Sequence, residues 1–185
     1  MCKCSAASRV LLAVGLFLLL GEVGIAEEPL LYGFGRPATE EEITAWNIDI
    51  DPTGAGLPPG RGTVQQGTVL YASKCAACHG STGTEGPKDR LVGGQGSLAT
   101  PNPIKTIGSY WPYATTLYDY INRAMPLNAP QSLTPDEIYS VVAWLLHQNG
   151  IILADAVIDA QTLPAMKMPN RAGFVSDPRP DVSSR

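Results

Sequence analysis

Two cysteines three positions apart, followed at once by a histidine, make Cys75-Ala76-Ala77-Cys78-His79 the most chemically loaded stretch of this chain. That spacing is the attachment pattern for c-type haem. Each thiol can add to one haem vinyl group, and helical spacing of i and i+3 puts both sulfurs on one face. His79, the next residue, can then bind the iron through an imidazole nitrogen. Other readings explain less. A zinc site needs more Cys and His ligands, and the only other histidine is His147. A thioredoxin-like pair or a three-residue disulfide loop leaves His79 without a role.

The helical pattern supplies elements that position this stretch, and it predicts an all-α core. Residues 67–79 read as a first helix, with Val69, Leu70 and Tyr71 leading into Cys75. Gly67 costs such a helix about 1 kcal/mol against alanine, which points to something packed close against its backbone. Residues 113–124 read as a second helix from Ala114, Leu117, Tyr118, Ile121 and Ala124, started after Pro112 and stopped by Pro126. Residues 134–149 carry the clearest signals. Thr134 and Glu137 form a capping box, Pro135 suits the first turn, and Ile138, Val141, Val142, Leu145 and Leu146 form a buried stripe beside Trp144. Gly150 is a suitable stop.

Between the first two helices, residues 80–110 form a glycine-rich loop of a length uncommon without a function; wrapping a flat cofactor is one. A carbonyl of this loop near Pro87 is expected to accept the second ring N–H of His79, which orients the imidazole and makes it a better iron donor. The sequence does not fix which carbonyl. The sixth iron position has several candidates. Met125 lies between two core helices, where its thioether can cross the haem face opposite His79. Met166, Met168, His147 and an open site are the alternatives. A Met/His pair raises the potential relative to two histidines and saturates the iron, which favours electron transfer over oxygen chemistry.

The flanks differ from the core. Residues 1–26 read as a secretory signal, with Lys3 and Arg9 before an apolar run at 10–20 and small residues at Gly24-Ile25-Ala26. The run is shorter than the about 20 residues a membrane span needs, so no span is expected after signal removal. Removal would put the protein in the periplasm and take away Cys2 and Cys4. It also removes Lys3, Arg9 and Glu22 from a chain whose net charge is already −4. Such a chain is no nucleic-acid binder by bulk electrostatics. Residues 27–66 read as an N-terminal arm with one short helix capped by Thr39 and Glu42, followed by a Pro/Gly-rich run at 51–60. Leu30, Leu31, Tyr32, Phe34, Trp46 and Ile48 argue for an ordered arm packed on a partner over a disordered linker. Residues 151–185 read as a second extension, with one short helix within 151–163 and prolines thereafter.

Gly67, Tyr71, the Cys75–His79 motif, Met125-Pro126 and the aromatic-bearing last helix make residues 67–150 resemble class I cytochrome c. That resemblance implies that the first and last helices cross at Gly67 and Trp144. Longer stretches carry a closer resemblance: Gly35-Arg36-Pro37-Ala38-Thr39, Trp46-Asn47-Ile48-Asp49, Gly54-Ala55-Gly56-Leu57-Pro58, Gly108-Ser109-Tyr110-Trp111-Pro112-Tyr113-Ala114, Arg123-Ala124-Met125-Pro126, Asn128-Ala129-Pro130-Gln131-Ser132-Leu133 and Lys167-Met168-Pro169-Asn170-Arg171. These look like the cytochrome c subunit of the sulfite and sulfane dehydrogenases of bacterial sulfur oxidation. The resemblance implies one covalent haem c, a molybdopterin-containing catalytic partner, and onward transfer to a downstream cytochrome c or oxidase. It implies no catalysis by this chain alone. A freely diffusing carrier serving a terminal oxidase is the rival function. A haem catalyst is a third, and it needs an open or thiolate-ligated iron, for which the mature chain has no spare cysteine.

Overall fold

A computed structural model describes residue 32, residues 34–177 and residue 179. The expected signal peptide, residues 1–26, and the apolar pair Leu30 and Leu31 lie outside the described residues. The elements are α1 (Glu40–Trp46), β1 (Arg61–Thr63), α2 (Val64–Lys74), α3 (Ala76–His79), α4 (Ala114–Ala124), α5 (Pro135–Gln148) and β2 (Val157–Asp159). The described residues fall into two units, divided after Glu42.

In the first unit, Thr39 and Glu42 cap α1 reciprocally. The Thr39 N–H donates to Glu42 Oε2 at 2.9 Å, and the Glu42 N–H to Thr39 Oγ1 at 3.3 Å. Arg36 grips the same carboxylate with both terminal guanidinium nitrogens. The expected helix is therefore present, but none of its residues is buried. Tyr32, Phe34 and Trp46 are all at least 79% exposed.

The core of the second unit is the crossing of α2 and α5. α5 starts at the capping box of Thr134 and Glu137, with Pro135 in its first turn. Its stripe of Ile138, Val141, Val142, Leu145 and Leu146 is buried as the periodicity predicts. Tyr139, Ser140, Ala143 and Trp144 are buried too, so the helix is covered on more faces than one stripe requires. α2 lies against it where Gly67 meets residues 140 and 144. A Cβ on Gly67 would stand 2.7 Å from Trp144 Cβ and closer still to the Ser140 carbonyl oxygen. One turn on, Tyr71 stacks on Trp144 with ring centroids 3.7 Å apart. The crossing implied by the cytochrome c resemblance is thus present at the named residues.

Two differences from the sequence reading have plain causes. The first helix begins at Val64, three residues before the expected start, because Thr63 and Gln66 make a capping box of their own. It also breaks at Cys75, where φ is −121° and ψ −35°, before the single turn of α3. The all-α expectation also omits a two-stranded antiparallel ladder that pairs Arg61 with Asp159, Gly62 with Ile158 and Thr63 with Val157. This ladder packs on α5, and Gly62 lies so near the Tyr139–Ser140 backbone that any side chain there would collide with it.

The ladder occupies part of the stretch expected to hold a short helix at 151–163. Packing also runs past residues 67 and 150 on both sides. Ile50, Val64, Ile158, Leu163 and Met168 are all buried in the common core. The Ile50 N–H donates to buried Asp119 at 3.0 Å, and the Tyr139 hydroxyl donates to the Pro58 carbonyl at 2.9 Å. Further along, Asn170 Nδ2 donates to the Tyr110 carbonyl at 2.8 Å and Arg171 lies 4.0 Å over the Tyr113 ring. Much of what composition marks as extension is therefore wrapped onto the helices.

Candidate functional site

α3 presents the two thiols and the imidazole within one turn. Backbone bonds hold that turn tightly: Cys78 N–H and His79 N–H both donate to the Cys75 carbonyl, at 3.1 and 3.0 Å. Because the helix breaks at Cys75, the two sulfurs project from a kinked turn and not from one continuous helical face. Neither cysteine is in a disulfide. Burial, with a smaller contribution from Cys78, pushes the Cys75 thiol up to about 11. A thioredoxin-like pair requires the opposite, a thiol whose pKa is depressed so that the nucleophilic thiolate forms. The dithiol redox reading is therefore disfavoured by the site's own electrostatics.

His79 is half-buried, and its Nδ1 lies 2.8 Å from the Asp89 carbonyl oxygen. A carbonyl only accepts, so Nδ1 carries the proton and donates. In the neutral ring Nε2 is then the nitrogen whose lone pair is available to a metal. The expected carbonyl partner near Pro87 is thus supplied two residues later, by Asp89. The loop that carries it is tied back to α3 by the Lys88 N–H, which donates to the Cys78 carbonyl at 2.9 Å.

Two features shape the loop from residue 80 onward. Glu85 accepts from the hydroxyls of Thr82, Thr84 and Ser81 and from the backbone of Thr82 and Thr84, which holds its carboxyl far below the usual range. Gly86 lies directly on the backbone of residues 78–80, and a Cβ there would overlap the Cys78 carbonyl. The sequence shows Gly86 only as part of a Gly-Pro turn. Its contact with the thiol motif was not readable there.

Met125 is the C-terminal cap of α4, is half-buried, and packs against the core. α3 packs on α2, and α4 packs on α5. The two carriers of candidate ligands are thus each packed on one member of the central helix pair. Leu70, Cys75, Ala76, Leu91, Trp111 and Met125 all lean on the core while remaining partly open. The alternative ligands lie on other segments. Met168 is 3% exposed within the core. His147 sits in the last turn of α5 with Nδ1 3.1 Å from the Ile152 carbonyl. Met166 packs against the core from the C-terminal segment.

The donor set and its surroundings fit a c-type haem: two free thiols, an imidazole with Nε2 open, a half-buried thioether, and apolar side chains left partly uncovered. Among the described residues, no group of three or more His, Cys, Asp and Glu side chains could hold a bare metal ion.

Comparison with known proteins agrees. The family model described as cytochrome C oxidase, cbb3-type, subunit III matches residues 62–145. The crystal structure of the sulfane dehydrogenase SoxCD from Paracoccus pantotrophus includes a chain that is 44% identical, with a TM-score of 0.73; the match covers 80% of this chain and 73% of that one. No curated protein matches. Fold and site therefore define an electron-transfer cytochrome with a cytochrome c domain, a family that implies a haem c cofactor. Within it, the chain belongs to the family of the cytochrome c subunit of bacterial sulfite and sulfane dehydrogenases.

Proposed function

We infer that this protein is a monohaem c-type cytochrome that serves as the electron-transfer subunit of a periplasmic molybdopterin-containing sulfite or sulfane dehydrogenase. Cys75 and Cys78 would form the thioethers, and His79 Nε2 and the Met125 sulfur would hold the iron. The haem so held would supply one-electron redox chemistry between ferric and ferrous iron. The chain's own residues do the rest. His79 is oriented by the Asp89 carbonyl, which makes the imidazole a stronger donor. Leu91 and Trp111 keep the site apolar. As an iron ligand, Met125 would leave no open position for oxygen chemistry. The observation that carries this reading is the 2.8 Å bond from His79 Nδ1 to Asp89, which leaves Nε2 open beside two unpaired thiols.

The partner is argued from the surface and from the relative. Trp46 stands in solvent at the end of the capped α1, Tyr32 and Phe34 are exposed ahead of it, and Phe174 and Val175 are exposed near the other end of the chain. Exposed large apolar side chains such as these are what a partner would cover. Among the described residues, no helix is long and apolar enough to cross a membrane. Export by the 1–26 signal would deliver the protein to the periplasm, where electrons pass on to a downstream cytochrome c or oxidase.

Two experiments test this. Isolation of the haem-loaded protein from its native periplasm should bring down molybdenum at about one per haem, and sulfite or a sulfane donor should reduce the haem in that complex. A clean monomer without molybdenum would replace the subunit reading with that of a free carrier. Separately, Met125→Ala should abolish the sulfur-to-iron charge-transfer band at the red edge of the oxidised spectrum and lower the reduction potential. An unchanged band would remove Met125 from the iron.

A further inference from the structure

The proposed iron ligand His79 is oriented by a backbone carbonyl, and a carbonyl is only as well placed as the loop that carries it. We propose that Asn149, at the end of α5, is the positioning residue that sets the His79–Asp89 hydrogen bond. The inference rests on the reading of His79 as an axial ligand.

Asn149 is 7% exposed, yet its side-chain amide is fully engaged. Oδ1 accepts the Gly93 N–H at 3.0 Å. Nδ2 donates to the Leu91 carbonyl at 3.3 Å and to the Leu145 carbonyl at 2.9 Å. One side chain therefore bridges the last turn of α5 to two loop residues, both more than fifty positions away in sequence. The backbone carbonyl of Asn149 accepts from Gln95 Nε2 at 3.1 Å, which extends the same seam. Gly108 makes room for it, since a Cβ at that position would overlap Asn149 Oδ1. Gly108 belongs to one of the long stretches that carry the family resemblance, and nothing in haem ligation itself accounts for a glycine there.

Asp89 lies between two anchors. On one side the Lys88 N–H holds the Cys78 carbonyl; on the other, Leu91 and Gly93 are held by Asn149. Gly93 and Gly94 both have positive φ, at 93° and 77°, so the chain beyond the second anchor turns through a conformation that side chains resist. Without the amide, the half-buried Gly93 N–H loses its partner, and the 89–93 segment keeps only its ties from Leu91 and Val92 N–H to the Gly83 carbonyl, from Ile107 N–H to the Leu91 carbonyl and from the Thr106 hydroxyl to the Gly93 carbonyl. The Asp89 carbonyl is then less firmly held against Nδ1. A weaker hydrogen bond makes the imidazole a poorer donor to iron, which disfavours the ferric state and raises the potential.

The test uses the haem-loaded full-length mature protein. In the wild type, exchange of the His79 Nδ1–H, the Gly93 N–H and the Asn149 amide protons, followed by NMR, should show one shared opening. In Asn149→Ala, the His79 Nδ1–H should exchange at least tenfold faster and the potential should rise. Leu163→Ala, a fully buried site on the C-terminal segment, should lower Tm without moving either readout. Overturning results are an Asn149→Ala protein that loses Tm like Leu163→Ala with exchange and potential unchanged, or a wild type in which the His79 proton opens independently of Gly93. Wild-type His79 resonances without the shifts of an iron-bound ring would overturn the ligand reading itself, and would do so before any variant is made.

Discussion

Replacing Gly67 with alanine is expected to destabilise the protein by ~3 kcal/mol or more and to lower Tm by roughly 10 °C. The substitution normally helps a helix, by up to about 1 kcal/mol. Here the added Cβ would collide with the Ser140 carbonyl oxygen, 2.7 Å from Trp144 Cβ and 2.8 Å from the Ser140 carbonyl carbon. Two of these three atoms are backbone, so no rotamer change relieves the overlap. The helices must separate, and the Tyr71–Trp144 stack one turn away must loosen with them. Overpacking of this kind commonly costs 1–3 kcal/mol where side chains can adjust; a backbone collision at the centre of the main helix pair exceeds that range. Thermal denaturation with near-ultraviolet circular dichroism checks both effects. A Tm equal to or above the wild type would mean that the helix pair is softer than this geometry and that the propensity gain wins.

The same crossing shows what the sequence could and could not convey. α5 was legible because its signals are local: Thr134 and Glu137 are three residues apart, and the apolar stripe from Ile138 to Leu146 repeats over more than two turns. The placing of two thiols and an imidazole within one turn was legible because all three lie within five consecutive residues. The Thr63–Gln66 capping box is just as local and could have been read, but Gly67 draws attention to the wrong helix start. The β ladder is different. Three residues on each side are too few to show alternation, and the partners are more than ninety positions apart. The acceptor for His79 was not legible for another reason: every residue has a carbonyl, and only the course of the loop selects Asp89. Asn149 illustrates the same limit. As a helix C-cap it reads as ordinary, and its bonds to Leu91 and Gly93 exist only in the folded chain.

Composition also merges two segments that the fold treats oppositely, and a pair of truncations separates them. Deleting residues 27–46 is expected to leave a folded domain that still takes up haem and has lost the exposed aromatics at 32, 34 and 46, and with them the proposed partner. α1 buries none of its residues, so little apolar burial is forfeited. Deleting residues 27–62 is expected to abolish the fold. That cut removes Ile50 and Leu57 from the core, and full burial of one such side chain is worth ~1.5–3 kcal/mol. It leaves the buried Asp119 carboxylate without the Ile50 N–H and Tyr139 without its carbonyl acceptor, each loss costing about 1–3 kcal/mol. It also strips β2 of the partner that covers Ile158. Together these losses are comparable to the ~5–15 kcal/mol by which domains are normally stable. Haem incorporation and far-ultraviolet circular dichroism on the two truncations report the outcome. A folded, haem-loaded 27–62 deletion would mean that the segment before β1 is an arm in the physical as well as the compositional sense. Loss of haem from the 27–46 deletion would mean that α1 supports the core through contacts that its exposure does not reveal.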